Sequence, residues 1–399
     1  MLIYNGNIVT SSSGLYAIYS NAGNLYLSDD ITIDGTIVIA TDVTLCLNGH
    51  SITSTANGDV IKIENGATLT LCDCRGGDAT AEYGKITHDR SAQGRGVHVP
   101  AGATFTMYSG EISDNILTSD LEGAGIFTAG TTTICGNAKI TNNYANAPRG
   151  YGGGICTTGS LTLGGNAEIT NNYVKDSNGG GGIFAAQGSK LYISGNVKVS
   201  ENMNADGSCN LYLNHNDYSS APITVTGELA DTARIGVTME ESQRPTDTNP
   251  SVSIAKATTA GWIKKGNFVS DYDFYQMDVA TLSNEPLAQL RLHDHMWGVR
   301  VSSSAANILE RYCTAFTNCP SIGGTLTLTA NDSAFDGEPY DDARWSTDSW
   351  MGTVVPQNTP ITYEEKAGKN TFTQLTGAPT KAGEYRASIT VDGKTATKE

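Results

Sequence analysis

Basic residues are scarce in this 399-residue chain: 25 Lys and Arg stand against 41 Asp and Glu, a formal net charge of −16. A nucleic-acid or anionic-membrane partner needs a basic footprint, so neither is expected. Long apolar runs are missing too. Nothing approaches the roughly 18–20 consecutive apolar residues of a membrane span, and no membrane insertion is expected. The opening stretch MLIYNGNIVTSSSG has neither the basic start nor the apolar centre of a secretory signal. Such a chain is either cytosolic or a mature piece whose export signal lies outside it. The eight cysteines (46, 72, 74, 135, 156, 209, 313 and 319) contain no paired Cys-x-x-Cys hooks, which excludes the common zinc folds. Cys72-Asp73-Cys74 is too tight for a normal disulfide, which leaves Cys313 and Cys319 as the one local pair. Most cysteines read as small apolar residues of a stacked core. P-loop and Gly-x-Ser-x-Gly strings are absent, and no helix follows the many Gly-x-Gly strings to make a nucleotide fingerprint. No cofactor or metal is expected.

What the chain does contain is glycine, 45 residues of it, with charge held to 17 % and Thr, Ser and Asn plentiful. That is a turn-rich β composition. It is also repetitive. GNAKITNN (136–143) returns as GGNAEITNN (164–172), with looser copies SGEISDN (109–115) and GNVKVSEN (195–202). A Gly-apolar start recurs at Gly96-Val97, Gly125-Ile126, Gly154-Ile155 and Gly182-Ile183, spaced 29, 29 and 28 residues. Between the two lies a second short strand: TFTM (104–107), TTTI (131–134), SLTL (160–163) and KLYI (190–193).

Three strands of three to five residues cannot form a self-sufficient sheet, but coils stacked at about 4.8 Å pair each strand with its equivalents. The expected fold is all-β: a right-handed parallel β-helix with three short strands per coil, the hand being the default of parallel crossovers. Ile112, Ile140, Ile169 and Val199 then form one buried column, and Ile126, Ile155 and Ile183 another. Asn115, Asn143, Asn172 and Asn202 stack into an amide ladder at a corner. Lys85, Glu111, Lys139, Glu168 and Lys198 form an outward ladder of alternating charge.

The period fades after about residue 208. The expected organisation is a β-helix with its N-terminal cap over 1–215, a β-rich end cap over 216–300 and a connector over 301–323. From about 324, GTLTLTAND, PITYEEK, TFTQL and GEYRASITVDG read as antiparallel strands of a small sandwich over 324–399.

The GGGI and NAEITNN coils resemble the Gly-Gly-Ala-Ile and Phe-x-x-Asn repeats of polymorphic outer-membrane proteins. They are more similar still to adhesin-like β-helix proteins of gut Firmicutes, over roughly residues 40–290. Ile or Val stands where the outer-membrane family has Phe, and no membrane β-barrel follows. FDGEPY (335–340) and APTKAGEYRASITV (378–391) resemble strands of MBG-type bacterial immunoglobulin-like modules. These resemblances imply a secreted or cell-wall-associated bacterial surface protein, a monomer within a longer multidomain chain. Its export signal and anchor lie outside this sequence, and the immunoglobulin-like module is cut short at Glu399.

β-Helices also carry polysaccharide lyases and glycoside hydrolases, whose reactions need convergent carboxylates or a carboxylate beside Arg or Lys. The corner loops offer Asp114, Asp120, Glu122, Arg149, Lys175 and Asp176, with Asp120 and Glu122 one coil from Arg149. They form no acid cluster in one groove. His88, His98, His215, His293 and His295 are scattered, and His293 and His295 are not expected to converge on a metal. A binding constellation is more visible. The loops NNYANAPRGYGG (142–153) and NNYVKDSNGGGG (171–182) leave the same edge of adjacent coils. They bring Tyr144, Asn146, Arg149, Tyr151, Tyr173 and Lys175 together, beside walls expected to carry only paired charges and small polar groups. Aromatic faces with amide and cationic donors suit sugar rings. The reading is therefore an adhesin-like protein that binds a host or dietary glycan or surface protein without catalysis. A carbohydrate-active enzyme is the alternative, and a ligand-free spacer the second.

Overall fold

A computed structural model describes residues 7–9 and 23–399 of the chain, apart from 76–79, 120–121, 149, 216–220, 247, 273–274, 283–284, 293–296, 315–321, 333–337, 341, 349–354 and 356–358. Asp120, Arg149, His293, His295, Cys319 and the first half of FDGEPY therefore lie outside the described residues. The chain divides into two units, Met1–Leu292 and His293–Glu399.

The first unit is a parallel β-solenoid of about 7 turns. One coil supplies Ile126–Thr128, Thr131–Ile134 and Lys139–Thr141; the next supplies Ile155–Thr157, Ser160–Leu163 and Glu168–Thr170. Each strand pairs in parallel with its equivalent, so that Ile126 faces Ile155, Thr132 faces Leu161 and Ile140 faces Ile169. Alternate side chains point inward, and the inward positions are filled by Ile, Leu and Val. Ile112, Ile140, Ile169 and Val199 form one fully buried column in register, and Ile126, Ile155 and Ile183 form another.

The Asn ladder is present at the corner after the third strand. Asn115, Asn143 and Asn172 donate through Nδ2 to the next Oδ1 at 3.0, 3.0 and 2.9 Å. The line continues from Asn202 to Asn210 at 3.0 Å. The residue before each ladder Asn holds a left-handed backbone: Asp114, Asn142, Asn171 and Glu201 have φ of 58, 55, 56 and 61°. Asp and Asn tolerate that region better than most residues, which accounts for the doubled Asn in the repeat. The ladder also explains the Gly of each Gly-Ile start. A Cβ on Gly154 would lie 2.6 Å from the Gly182 carbonyl and 2.9 Å from Asn172 Nδ2. A second, exposed Asn line runs along another corner, from Asn196 to Asn166 to Asn137.

The charge ladder is in register from Lys85 through Glu111, Lys139 and Glu168 to Lys198. Contacts are made at Lys85–Glu111 (3.5 Å) and Lys139–Glu168 (4.0 Å), whereas Lys198 turns to Glu201. Alternation stops at the next coil, where Lys198 faces Arg234.

The solenoid does not end near residue 215. Ile223–Leu229 and Ser251–Ala257 extend one wall in parallel. Arg234–Met239 pairs at its start with Lys198–Ser200 and at its end with Leu211–Leu213, joining two walls into one sheet. The extended wall then closes with two antiparallel strands, Glu285–Leu292 and Tyr275–Leu282. Reversing the pairing breaks the template for another coil.

The second unit holds two four-stranded antiparallel sheets that fit a small β-sandwich. Leu309, Leu326, Leu328, Ala387, Ile389 and Ala396 share its core. The stretch expected as a connector contributes to it. Ile308–Cys313 pairs with both Trp297–Val301 and Ile322–Thr329. Its alternating burial shows why: Leu309, Arg311 and Cys313 face inward while Glu310 and Tyr312 do not.

The expectation that cysteines fill the stacked core fails. Among the described residues no cysteine belongs to the solenoid core, whose inward positions are held mainly by Ile, Leu, Val and Ala. Cys156 and Cys209 pack instead in a separate aromatic cluster.

Candidate functional site

The stretches after the ladder asparagines are ordered strands. Ile116–Leu117, Tyr144–Ala145, Tyr173–Val174 and Met203–Asn204 form a narrow extra sheet at the solenoid corner. Leu117, Ala145 and Val174 turn inward against Ala124 in a small core of their own. Strand alternation therefore sends Ile116, Tyr144, Tyr173 and Met203 outward, in register on successive coils. The Tyr144 and Tyr173 rings stack with centroids 4.7 Å apart and planes 19° apart. That separation is one coil step, so the register itself produces the stack. Both rings are half-buried, while Met203 is 51 % exposed.

Asn146 and Lys175 occupy equivalent positions one coil apart, just beyond the tyrosine strands. Asn146 N–H donates to the Leu117 carbonyl and Lys175 N–H to the Ala145 carbonyl. Lys175 is exposed and Asn146 half-buried. Asp176, the carboxylate nearest in sequence, accepts from the Asn178 N–H at 2.8 Å and serves its own turn.

Tyr151 departs from the expected constellation. It stacks on Phe184 at 4.5 Å, and Phe184 stacks on Tyr212 at 5.6 Å. These rings belong to the outer face of the Gly-Ile wall, with Cys156, Cys209 and Phe127. That wall is thus an aromatic column, not the small polar surface expected. The signal was the residue after each Gly-Ile or Gly-Val start: His98, Phe127, Cys156 and Phe184 stand in one register, which Tyr212 continues after Asn210-Leu211.

Charged groups gather at one end of this column. Asp59 accepts from His98 Nδ1 at 2.9 Å and lies 3.4 Å from the Arg95 guanidinium. Arg95 Nε donates to the Glu122 carbonyl at 2.8 Å, and its guanidinium sits 5.0 Å over the Phe127 ring. The Cys156 thiol lies 3.4 Å from Glu122 Oε2; burial, then the Glu122 charge, push that thiol well above its ordinary range. Further along, the Tyr212 hydroxyl donates to Glu240 at 2.6 Å, and burial with this bond raises the phenol. These groups satisfy one another.

Among the described residues no group of three or more His, Cys, Asp and Glu side chains is arranged to hold a metal ion. Among the described residues no helix is long and apolar enough to cross a membrane. Compared with known proteins, the chain matches no family model, no curated protein and no solved structure.

Proposed function

We propose that the chain is an adhesin-like bacterial surface or secreted protein that holds a host or dietary glycan, or a surface protein displaying one, on the Ile116–Tyr144–Tyr173–Met203 ridge. The stacked Tyr144–Tyr173 pair carries the reading. Two rings held parallel by the coil step, with a flat half-exposed face, match the C–H face of a pyranose, and Asn146 and Lys175 add donors at its rim. Glycoside cleavage would need two carboxylates around the bond. Asp176, the carboxylate beside Lys175, is used by a turn. The C-terminal sandwich reads as an MBG-type immunoglobulin-like stalk module, and the protein as extracellular or wall-associated.

The test is a glycan array with the full chain, followed by titration of the best ligand against Tyr144→Ala/Tyr173→Ala. Loss of binding by at least about tenfold, with circular dichroism unchanged, supports the ridge. Undiminished affinity removes it.

The enzyme reading has one observation in its favour, the Asp59, His98, Arg95 and Glu122 cluster beside Phe127. Release of new reducing ends or unsaturated sugars from a polysaccharide panel, abolished by Asp59→Asn or Glu122→Gln, would select it.

A further inference from the structure

Three of the thiols are gathered at one place on the solenoid. Cys46 and Cys72 are register partners at the ends of neighbouring strands, and Cys46 Sγ lies 3.4 Å from Cys74 Sγ, 28 residues on. The turn after Cys72 is built to produce that approach. Asp73, 7 % exposed, accepts from the backbone N–H of Gly49 (2.8 Å), Arg75 (2.6 Å) and Gly84 (2.6 Å). Its own N–H donates to Ser109 Oγ at 2.7 Å, and that hydroxyl donates back to the Asp73 carbonyl at 3.0 Å. Arg75 then turns through a left-handed φ of 53°. With Asp73 pinned to the coils on both sides, Cys74 is directed back over the preceding coil, where it also lies 3.1 Å from Asn48 Oδ1. Cys46 is 1 % exposed beneath it, and Cys74 is exposed.

We propose that Cys46 and Cys74 are an oxidative modification site: they form a disulfide between successive coils, with glutathione disulfide or another small-molecule disulfide as the oxidant. A disulfide requires about 2.05 Å between sulfurs, so closure of about 1.4 Å is needed, within reach of a rotation of the exposed Cys74 side chain. Cys74 loses its proton to solvent, its thiolate attacks the small disulfide, and one glutathione thiolate leaves. Cys46 then loses its proton and attacks Cys74 Sγ, forming the Cys46–Cys74 bond and expelling the glutathione. Two protein thiols are oxidised and one glutathione disulfide is reduced to two glutathiones. The order follows from environment. The hydrogen bond with Cys72, then burial, raise the Cys46 thiol far above its ordinary range, so Cys46 reacts second and sets the rate. The product ties one coil to the next and restricts the unfolded chain over the 28-residue separation.

The test treats the reduced full-length chain with glutathione disulfide at mildly alkaline pH and maps its peptides without reduction. The expected product has lost two hydrogens and links Cys46 to Cys74. It still forms in Cys72→Ser and is absent from Cys46→Ser and Cys74→Ser. Fragment ions within the 72–74 peptide of the wild-type chain locate the link without any substitution. Thermal unfolding of the oxidised chain shifts up by several degrees and returns on reduction. A stable glutathione adduct on Cys74 with no internal link overturns the proposal, as does a link that survives Cys74→Ser. So does failure to react while the denatured chain reacts fully.

Discussion

The side-chain amides of Asn172 and Asn202 are joined at 2.9 Å across one coil step, and this bond is one rung of a line with a fixed direction. Every Nδ2 points toward the C-terminal end of the solenoid, so the line needs a donor at its start and a pure acceptor at its finish. His88 Nδ1 supplies the first at 2.7 Å from Asn115 Oδ1, and Asp271 the second, at 2.6 Å from Asn210 Nδ2. Asn172 Nδ2 also lies within hydrogen-bond distance of the Ile140 and Thr170 carbonyls.

Asn172→Ala should therefore destabilise the solenoid by about 2–4 kcal/mol, because several buried partners lose their bonds at once. Urea unfolding followed by circular dichroism measures it. A loss below about 0.5 kcal/mol would mean that water replaces the amide.

Ile169→Ala removes a fully buried side chain from the column between Ile140 and Val199. It should cost about 2–5 kcal/mol in the same unfolding experiment.

Gly154→Ala adds only a methyl group, yet that group meets a backbone carbonyl at 2.6 Å and the ladder amide at 2.9 Å. Backbone cannot give way as a flexible side chain would, so a loss of about 1–3 kcal/mol is expected. Gly188→Ala is the control for a left-handed glycine with open space around it. Its cost reports backbone conformation alone.

Asp271 sets a pH dependence. Burial raises its carboxyl above the ordinary 3.8, outweighing the hydrogen bonds from Asn210, Thr238 and Ser208 that favour the charged form. Between 3.8 and the raised value the folded state holds more protons than the unfolded chain. This contribution to stability is therefore full below 3.8 and is lost as pH rises through the folded value. The melting-temperature advantage of wild type over Asp271→Asn should widen as pH falls from neutral to about 4. A pH-independent difference would contradict it.

Much of the solenoid was legible because its information is periodic. Ile112, Ile140 and Ile169, the Lys–Glu ladder and the four asparagines recur at one spacing, and parallel stacking turns a sequence period directly into spatial register. The Tyr144–Tyr173 contact was legible for the same reason. Period alone does not say where a residue points once the chain leaves the repeat. Tyr151 lies only seven positions from Tyr144, yet it stacks on Phe184 on another wall. Asn210 and Asp271 complete the amide line from outside the repeated phrase, 61 positions apart in the chain. The thiol cluster depends on hydrogen bonds made by Asp73, a residue with no counterpart in the repeat. Sequence by itself thus determined the coil, its register and its buried columns, since each coil templates the next through identical local geometry. Only the tertiary structure decided what closes the ladder, which rings stack and which sulfurs meet, because those depend on excursions that no neighbouring coil repeats.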